Sequence, residues 1–382
     1  MKSSLRRFCS QLTAVSILSL SWGIANAVVA TSPKLDAKAY ILMDFNSTNI
    51  IAELDSKRTV EPASLTKMMA AYIAFHELEA GKIRAEDQVV ISKNAWKMQG
   101  SRMFLALDSS VTVNELLHGM IIQSGNDATV ALAEHIAGSE ESFVSLMNHY
   151  AKKLGMNSTH YMNATGLPHK EHYSTAYDLA LLARSIIAEF PQHYSLYSEK
   201  EYTYNGIRQY NRNKLLWQDK YVDGIKTGHT DSAGYCLASS AKRGDMRLIS
   251  VVLGTDSENA RATESQKLLT YGFRFFESHK LYSAGQVLTK SRIWKGDADD
   301  IALGLSKDMY VTIPRGQYKS LKAAMSVDKK IIAPAAKGRV YGNVTISLGN
   351  QKIADGQLIA LKNVNEASFA SSLVDEVFMF FE

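Results

Sequence analysis

Three short polar segments, Ser64-Leu65-Thr66-Lys67, Ser124-Gly125-Asn126 and Lys226-Thr227-Gly228, constrain this chain more than any other feature. Each is weak alone. Together they supply an alcohol nucleophile, a lysine one turn away as its base, a relay hydroxyl, and a clamp for a carboxylate or oxyanion. A fold that uses them must draw three distant stretches into one crevice poor in water.

The local pattern around each segment suits that task. Pro62 precedes a helical run Leu65 to Ala80 that ends at Gly81, the expected proline-first, glycine-last asymmetry. Ser64 therefore sits at the first turn, and Lys67, three positions on, shares its face. Ser124-Gly125-Asn126 falls between predicted helices Val113–Ile122 and Asp127–Ala137. Phe143, Leu146, Met147, Tyr150, Ala151 and Leu154 form an amphipathic stripe. Thr175-Ala176-Tyr177-Asp178 has the form of a capping box before Leu179–Ile187. Lys226-Thr227-Gly228 reads as an edge strand leading into the hairpin Gly234–Ser239 and Arg247–Leu253, whose turn contains Arg243-Gly244-Asp245. With strands Tyr40–Met43 and Ile50–Ala52 near the start and a helix Leu268–Phe276 at the end, the pattern predicts an α/β (α+β) domain. Its sheet draws strands from both ends, with a helical cluster between them.

A serine hydroxyl attacks only after losing its proton to a neighbouring base. Lys67 can accept that proton only as a neutral amine, which burial beside another cation favours, and Lys226 is the expected second cation. Ser124 would pass a proton between Lys226, Lys67 and a leaving amine, and Asn126 would hold Lys67 and a substrate amide. A strand edge can pair with an extended peptide. Gly228 would let its backbone approach, and Thr227 and Lys226 would take a terminal carboxylate. The backbone N–H groups of Ser64 and His229 would form an oxyanion hole. The blander readings are a solvated helix face for Ser-x-x-Lys and a helix-capping turn for Ser124 and Asn126; the latter is compatible with function. A Ser64–His229–Asp231 triad is redundant with Lys67 present. His169 and His172 lack partners at metal-ligand spacing, and neither a metal nor a cofactor is expected.

Residues 1–27 read as a secretory signal: Lys2, Arg6 and Arg7, an apolar Leu12–Ile24, then Ala25-Asn26-Ala27. The alternative is an uncleaved anchor, but the apolar run is short for a span. Removing it lowers the net charge from +5 to +2, and no basic run interleaved with aromatics points to nucleic acid. Cys236 is then the one remaining cysteine, expected as a small buried hydrophobe. Without disulfides an exported chain must rest on its core, which 46% hydrophobic residues can build. The expected divisions are 1–27 (signal), 28–278 (catalytic domain), 279–365 (a smaller all-β domain) and 366–382. In the last, Phe369, Leu373, Val374, Val377, Phe378, Phe380 and Phe381 cover one helical face. This amphipathic helix would lie on a membrane surface or dock on the β-domain; its polar face is acidic rather than basic.

Pro62–Lys67, Ser124–Asp127, Val222–Thr230, Lys267–Phe276 and Val311–Gly316 together resemble the serine D-alanyl-D-alanine carboxypeptidases, the low-molecular-mass penicillin-binding proteins of the 5 and 6 type. The resemblance implies a transpeptidase or β-lactamase-like catalytic domain, a β-rich second domain and a membrane-associating terminal helix in the periplasm. It implies removal of the terminal D-alanine from peptidoglycan pentapeptide stems through an acyl-enzyme on Ser64, acylation of that serine by β-lactams, and a role for Arg261 in carboxylate recognition. Thr165 stands where some members have His. A class A β-lactamase would need a Glu-x-x-Leu-Asn loop between Asn126 and Lys226, and there is none. A non-catalytic peptide-binding scaffold is the other alternative.

Overall fold

The computed structural model describes residues 31–368 together with Asp375. The predicted signal, and residues 369–382 of the predicted terminal helix apart from Asp375, lie outside the described residues. A five-stranded antiparallel sheet forms the first domain, from β1 (Ala39–Asp44), β2 (Ile50–Leu54), β3 (Val222–Thr230), β4 (Gly234–Arg243) and β5 (Met246–Thr255). Their order is β2-β1-β5-β4-β3, so the strand bearing Lys226-Thr227-Gly228 is an edge, as its sequence predicts.

Alternation along these strands divides two cores. In β1, Ile41 and Met43 face the helical cluster, whereas Tyr40 and Leu42 face the opposite layer. β5 repeats the division, with Ile249, Val251 and Leu253 on one side and Leu248 and Val252 on the other. Both faces are covered, so the middles of these strands, Tyr40–Met43 and Leu248–Leu253, are near-continuous apolar runs. The helical cluster is centred on Lys67–Glu79, buried at every position from Lys67 to Phe75. A helix apolar on all sides belongs inside a core. On the other face lies the helix Glu258–Phe275, longer than the predicted Leu268–Phe276 because Ser257 caps it by accepting from the Ala260 N–H. Gly272 lets this helix lie close, since a Cβ there would sit 2.6 Å from Leu248 and 2.9 Å from Leu42.

Three predicted helical features differ in detail. The nucleophile turn is a 3-10 segment, Ala63–Thr66, and the α-helix begins only at Lys67; residues three apart eclipse in that geometry, so Ser64 and Lys67 still meet. The run Val113–Ile122 is an α-helix to His118 and then a π-helical turn, Gly119–Gln123. Only half of the capping box at Thr175 forms. Thr175 accepts from the Asp178 N–H, but the Asp178 carboxylate turns to the Ser158 N–H and the Thr159 hydroxyl.

Residues 276–366 form the β-rich part. Phe276–Tyr282 follows the closing helix without a loop and pairs with Met309–Pro314, so the junction expected after residue 278 falls inside this strand. Val287–Trp294, Asp300–Gly304, Leu321–Val327, Ile331–Ile332, Val340–Leu348 and Gln351–Ala360 build a six-stranded sheet over a separate core that includes Leu303, Val311, Val344 and Leu358. Asp375 accepts from the Lys295 N–H at 2.6 Å and lies 3.6 Å from Arg292, which ties that position to this sheet. Among the described residues no helix is long and apolar enough to cross a membrane.

The two parts are fastened at two places. Asp44, fully buried at the end of β1, accepts from the Asn46 and Ser47 N–H groups and the Ser278 hydroxyl, and the Ser47 hydroxyl meets that of Thr312 at 2.6 Å. Arg315 reaches back to the end of the closing helix, donating to the carbonyls of Phe273 (2.8 Å) and Phe276 (3.0 Å). A cation at a helix C-terminus meets unpaired carbonyls and a favourable dipole. Arg315→Ala should therefore lower the unfolding free energy by about 1–3 kcal/mol, seen as a lower urea midpoint for the intact protein.

Candidate active site

The predicted residues converge. A cleft of about 400 Å³ is lined by Ser64, Ser124, Asn126, Thr227, Gly228, His229 and Arg261, with Gly100, Thr165, Arg212, Tyr235 and Glu258 among its other walls. Lys67 and Lys226, 1% and 3% exposed, lie beneath this lining.

Ser64 is half-buried in the 3-10 turn, just after Ala63, whose φ of 49° is left-handed. A non-glycine residue in that region stores of order 1–3 kcal/mol of strain. The turn is held there by its neighbours. Gly228 of β3 lies so near that a Cβ on it would stand 3.0 Å from the Pro62 carbonyl and 3.3 Å from the Ser64 nitrogen. Sequence reasoning gave this glycine to the ligand; its first duty is to let the strand abut the nucleophile turn.

Lys67 Nζ has three polar neighbours: Asn126 Oδ1 at 2.7 Å, the Thr165 carbonyl at 2.6 Å and Ser64 Oγ at 3.2 Å. Two of these can only accept. A neutral amine has two protons and one lone pair, so donating to Asn126 and Thr165 leaves the lone pair for the Ser64 hydroxyl. The pKa fits this state. Burial first, then the Arg212 guanidinium, push Lys67 down to about 7, while Asp127 acts in the opposite sense. The expected second cation is thus corrected from Lys226 to Arg212. Lys226 is itself pushed well below the usual lysine range, by burial first and then by Lys67, Arg212 and Arg261. A group so buried is a poor source of fixed charge, whereas a guanidinium does not deprotonate.

Ser124 occupies a left-handed position (φ 66°) directly after the π turn. Its hydroxyl is buried with no hydrogen-bond partner among the described residues. The direct link expected from Lys226 to Ser124 is not formed, because Lys226 Nζ donates to the Thr227 carbonyl at 3.2 Å. Asn126 begins the next helix, and its amide donates to the Gln99 carbonyl at 2.5 Å, which fixes the oxygen on Lys67. The neighbouring Asp127 carboxylate accepts from the N–H groups of Met103, Phe104 and Leu105, holding the loop that forms one wall.

Arg261, nearly buried on the closing helix, donates to the Gly228 carbonyl at 3.2 Å and so steadies the edge strand. His229 is exposed and stacks on Tyr235 with ring centres 3.9 Å apart. No hydrogen bond joins it to Asp231 among the described residues, and the triad geometry is not present. His172 is buried and its pKa is lowered to about 4, by burial first. It accepts from the Met162 N–H at Nδ1, so its Nε2 donates to Thr66 Oγ1 at 2.8 Å and braces the nucleophile turn. Among the described residues no three His, Cys, Asp or Glu side chains are grouped to hold a metal. Cys236 is fully buried on β4, its thiol pushed up to about 11 by burial, the inert role its sequence suggested.

Sequence reasoning missed Arg212 and the Thr165 carbonyl. The first carries a faint signal, an arginine between Asn211 and Asn213. Asn213 holds the Gly224 carbonyl at 2.9 Å and so anchors that segment to β3.

Comparison with known proteins agrees with this geometry. Residues 26–257 match the D-alanyl-D-alanine carboxypeptidase family, and 276–366 match the C-terminal domain of penicillin-binding protein 5. The chain belongs to the D-alanyl-D-alanine carboxypeptidase family. It is 44% identical to D-alanyl-D-alanine carboxypeptidase DacC of Escherichia coli, over 99% of this chain and 97% of that protein. It is 42% identical to the DacA enzyme of Haemophilus influenzae, over 96% and 95%. The crystal structure of penicillin-binding protein 5 from Haemophilus influenzae superposes with a TM-score of 0.86 at 43% identity, covering 88% of this chain and all of that one. Penicillin-binding protein D2 of Listeria monocytogenes, solved in its ampicillin-bound form, covers 64% of this chain and all of its own, at 28% identity and a TM-score of 0.59. The chain is thus a serine-type D-alanyl-D-alanine carboxypeptidase with a two-part, penicillin-binding-protein fold.

Three outcomes follow from the geometry. Gly228→Ala should cost at least about a hundredfold in kcat/KM, the usual penalty for ångström-scale misplacement of reacting groups, with an unchanged circular dichroism spectrum. If the neutral Lys67 amine is the base, kcat/KM should rise about tenfold per pH unit below 7 and level off above it. Arg212→Ala removes a cation that disfavours the lysinium, so the rising limb should move to higher pH in a pH–rate profile.

Proposed function

We propose that Ser64 is the nucleophile that removes the terminal D-alanine from peptidoglycan pentapeptide stems, with Lys67 as its base. The observation that carries this reading is the Lys67 amine, held by two acceptors with its third direction toward Ser64 Oγ. The stem peptide adds as a strand along the β3 edge. Its penultimate carbonyl enters the N–H groups of Ser64 and His229, while its terminal carboxylate lies among Thr227, Arg261 and Arg212. Lys226 adds its ammonium when a carboxylate arrives to favour the charged form.

Attack by Ser64 passes its proton to Lys67 and forms a tetrahedral oxyanion. Collapse breaks the bond to the leaving D-alanine, whose amine takes a proton through Ser124. The unpartnered Ser124 hydroxyl is suited to that transient duty. Water then cleaves the ester, with Lys67 again accepting a proton. Asn126 binds the substrate amide as well as the lysine. β-Lactams enter as cyclic analogues of the same peptide and acylate Ser64. The chain acts outside the cytoplasm after loss of residues 1–27, in the periplasm. Residues 366–382 touch the outer face of the inner membrane.

D-alanine release from diacetyl-Lys-D-Ala-D-Ala tests the proposal. Ser64→Ala should abolish both release and labelling by a fluorescent penicillin, a fall of more than about a thousandfold for loss of a nucleophile. Sustained nitrocefin hydrolysis without D-alanine release would instead mark a β-lactamase, and a wild-type protein that takes no label would mark a binding scaffold.

A further inference from the structure

The cleft holds cations on several sides and one carboxylate, Glu258, the only acidic residue in its lining. An acid is out of place in a site built for a carboxylate-terminated peptide, and its contacts show what occupies it. Glu258 Oε2 lies 3.3 Å from Lys214 Nζ, and Lys214 Nζ donates to Asn259 Oδ1 at 2.9 Å. Its other oxygen is 3.8 Å from Arg261 Nη2. Lys214 follows the segment that carries Arg212, and Glu258 opens the helix that carries Arg261. The pair therefore spans from one carboxylate-binding arginine's segment to the other's.

We infer that the Lys214–Glu258 bridge closes the cleft on its leaving-group side and restricts the enzyme to leaving groups one residue long. The inference rests on the reading that Ser64 attacks the penultimate carbonyl. From that carbonyl to the terminal carboxylate is one residue, about 3.5 Å. A D-alanine fills this distance and ends at Arg212 and Arg261, beside Glu258. A cross-linked stem has the same carboxylate on a leaving residue whose side chain continues into a second peptide, and that chain must pass where Lys214 and Glu258 meet. The bridge thus selects carboxypeptidase over endopeptidase action. Both side chains are close to half exposed, 41% and 49%, and an exposed pair is worth at most about 1 kcal/mol. Its loss should change selectivity about fivefold, at an exchange of 1.4 kcal/mol per factor of ten.

The test compares D-alanine release from a monomeric pentapeptide muropeptide with cleavage of a 4,3-cross-linked dimer by the full chain, for wild type, Lys214→Ala and Glu258→Gln. The wild type should favour the monomer strongly. Both variants should raise the dimer-to-monomer ratio of kcat/KM about fivefold. Moving from low salt to 0.5 M salt should raise the ratio for the wild type alone, since screening weakens exposed pairs. An unchanged ratio in both variants, in proteins that still release D-alanine, overturns the inference. A wild type that releases none overturns the underlying reading of the site instead.

Discussion

A lysine amine with almost no access to water governs how this site is built. Lys67 loses hydration on folding, and two acceptors 2.6 and 2.7 Å away replace it. Those acceptors come from different parts of the chain: Asn126 from the helix after the π turn, and Thr165 from the loop leading to His172. Their placement fixes which direction remains for Ser64. The same burial lowers the lysine's proton affinity, and Arg212 lowers it further. Orientation and basicity thus share one cause, the enclosure of a single nitrogen.

The legible part of this arrangement was the part encoded at short range. Ser64 and Lys67 are three residues apart, and helical geometry joins them whether the turn is 3-10 or α. Asn126 follows a break between helices, and the edge position of Lys226-Thr227-Gly228 follows from its hairpin. Less was readable where tertiary structure sets the outcome. The Thr165 contribution is a main-chain carbonyl, which leaves no side-chain signature. Arg212 acts through a long-range field, and its residue type alone does not place it. The π turn at Gly119–Gln123 has an ordinary helical pattern; the extra width shows only in how it delivers Ser124 in a left-handed conformation. Lys226 was expected as a standing charge because its depth could not be read from an edge strand.

One helix links the catalytic cleft to the second domain. Glu258–Phe275 carries Arg261 near its start, against the Gly228 carbonyl, and receives Arg315 at its end. The β-rich domain therefore grips the same rigid element that steadies the β3 edge. Asp44 and Ser47 give a second grip at the far edge of the sheet. The fold divides chemistry from attachment while keeping both on one frame.

The abutment of Gly228 on the Pro62–Ser64 turn also bears on drug evasion. One route of escape from a β-lactam is to pry the cleft wider until the rigid bicyclic inhibitor no longer reaches the serine. Here the two walls abut closely, a Cβ on Gly228 falling 3.0 Å from the Pro62 carbonyl and 3.2 Å from the Ala63 methyl, so no large side chain stands between them to trim. Widening would carry the hydroxyl away from its natural peptide by the same amount, so mutational escape in this lineage has to be sought in deacylation or in the rim.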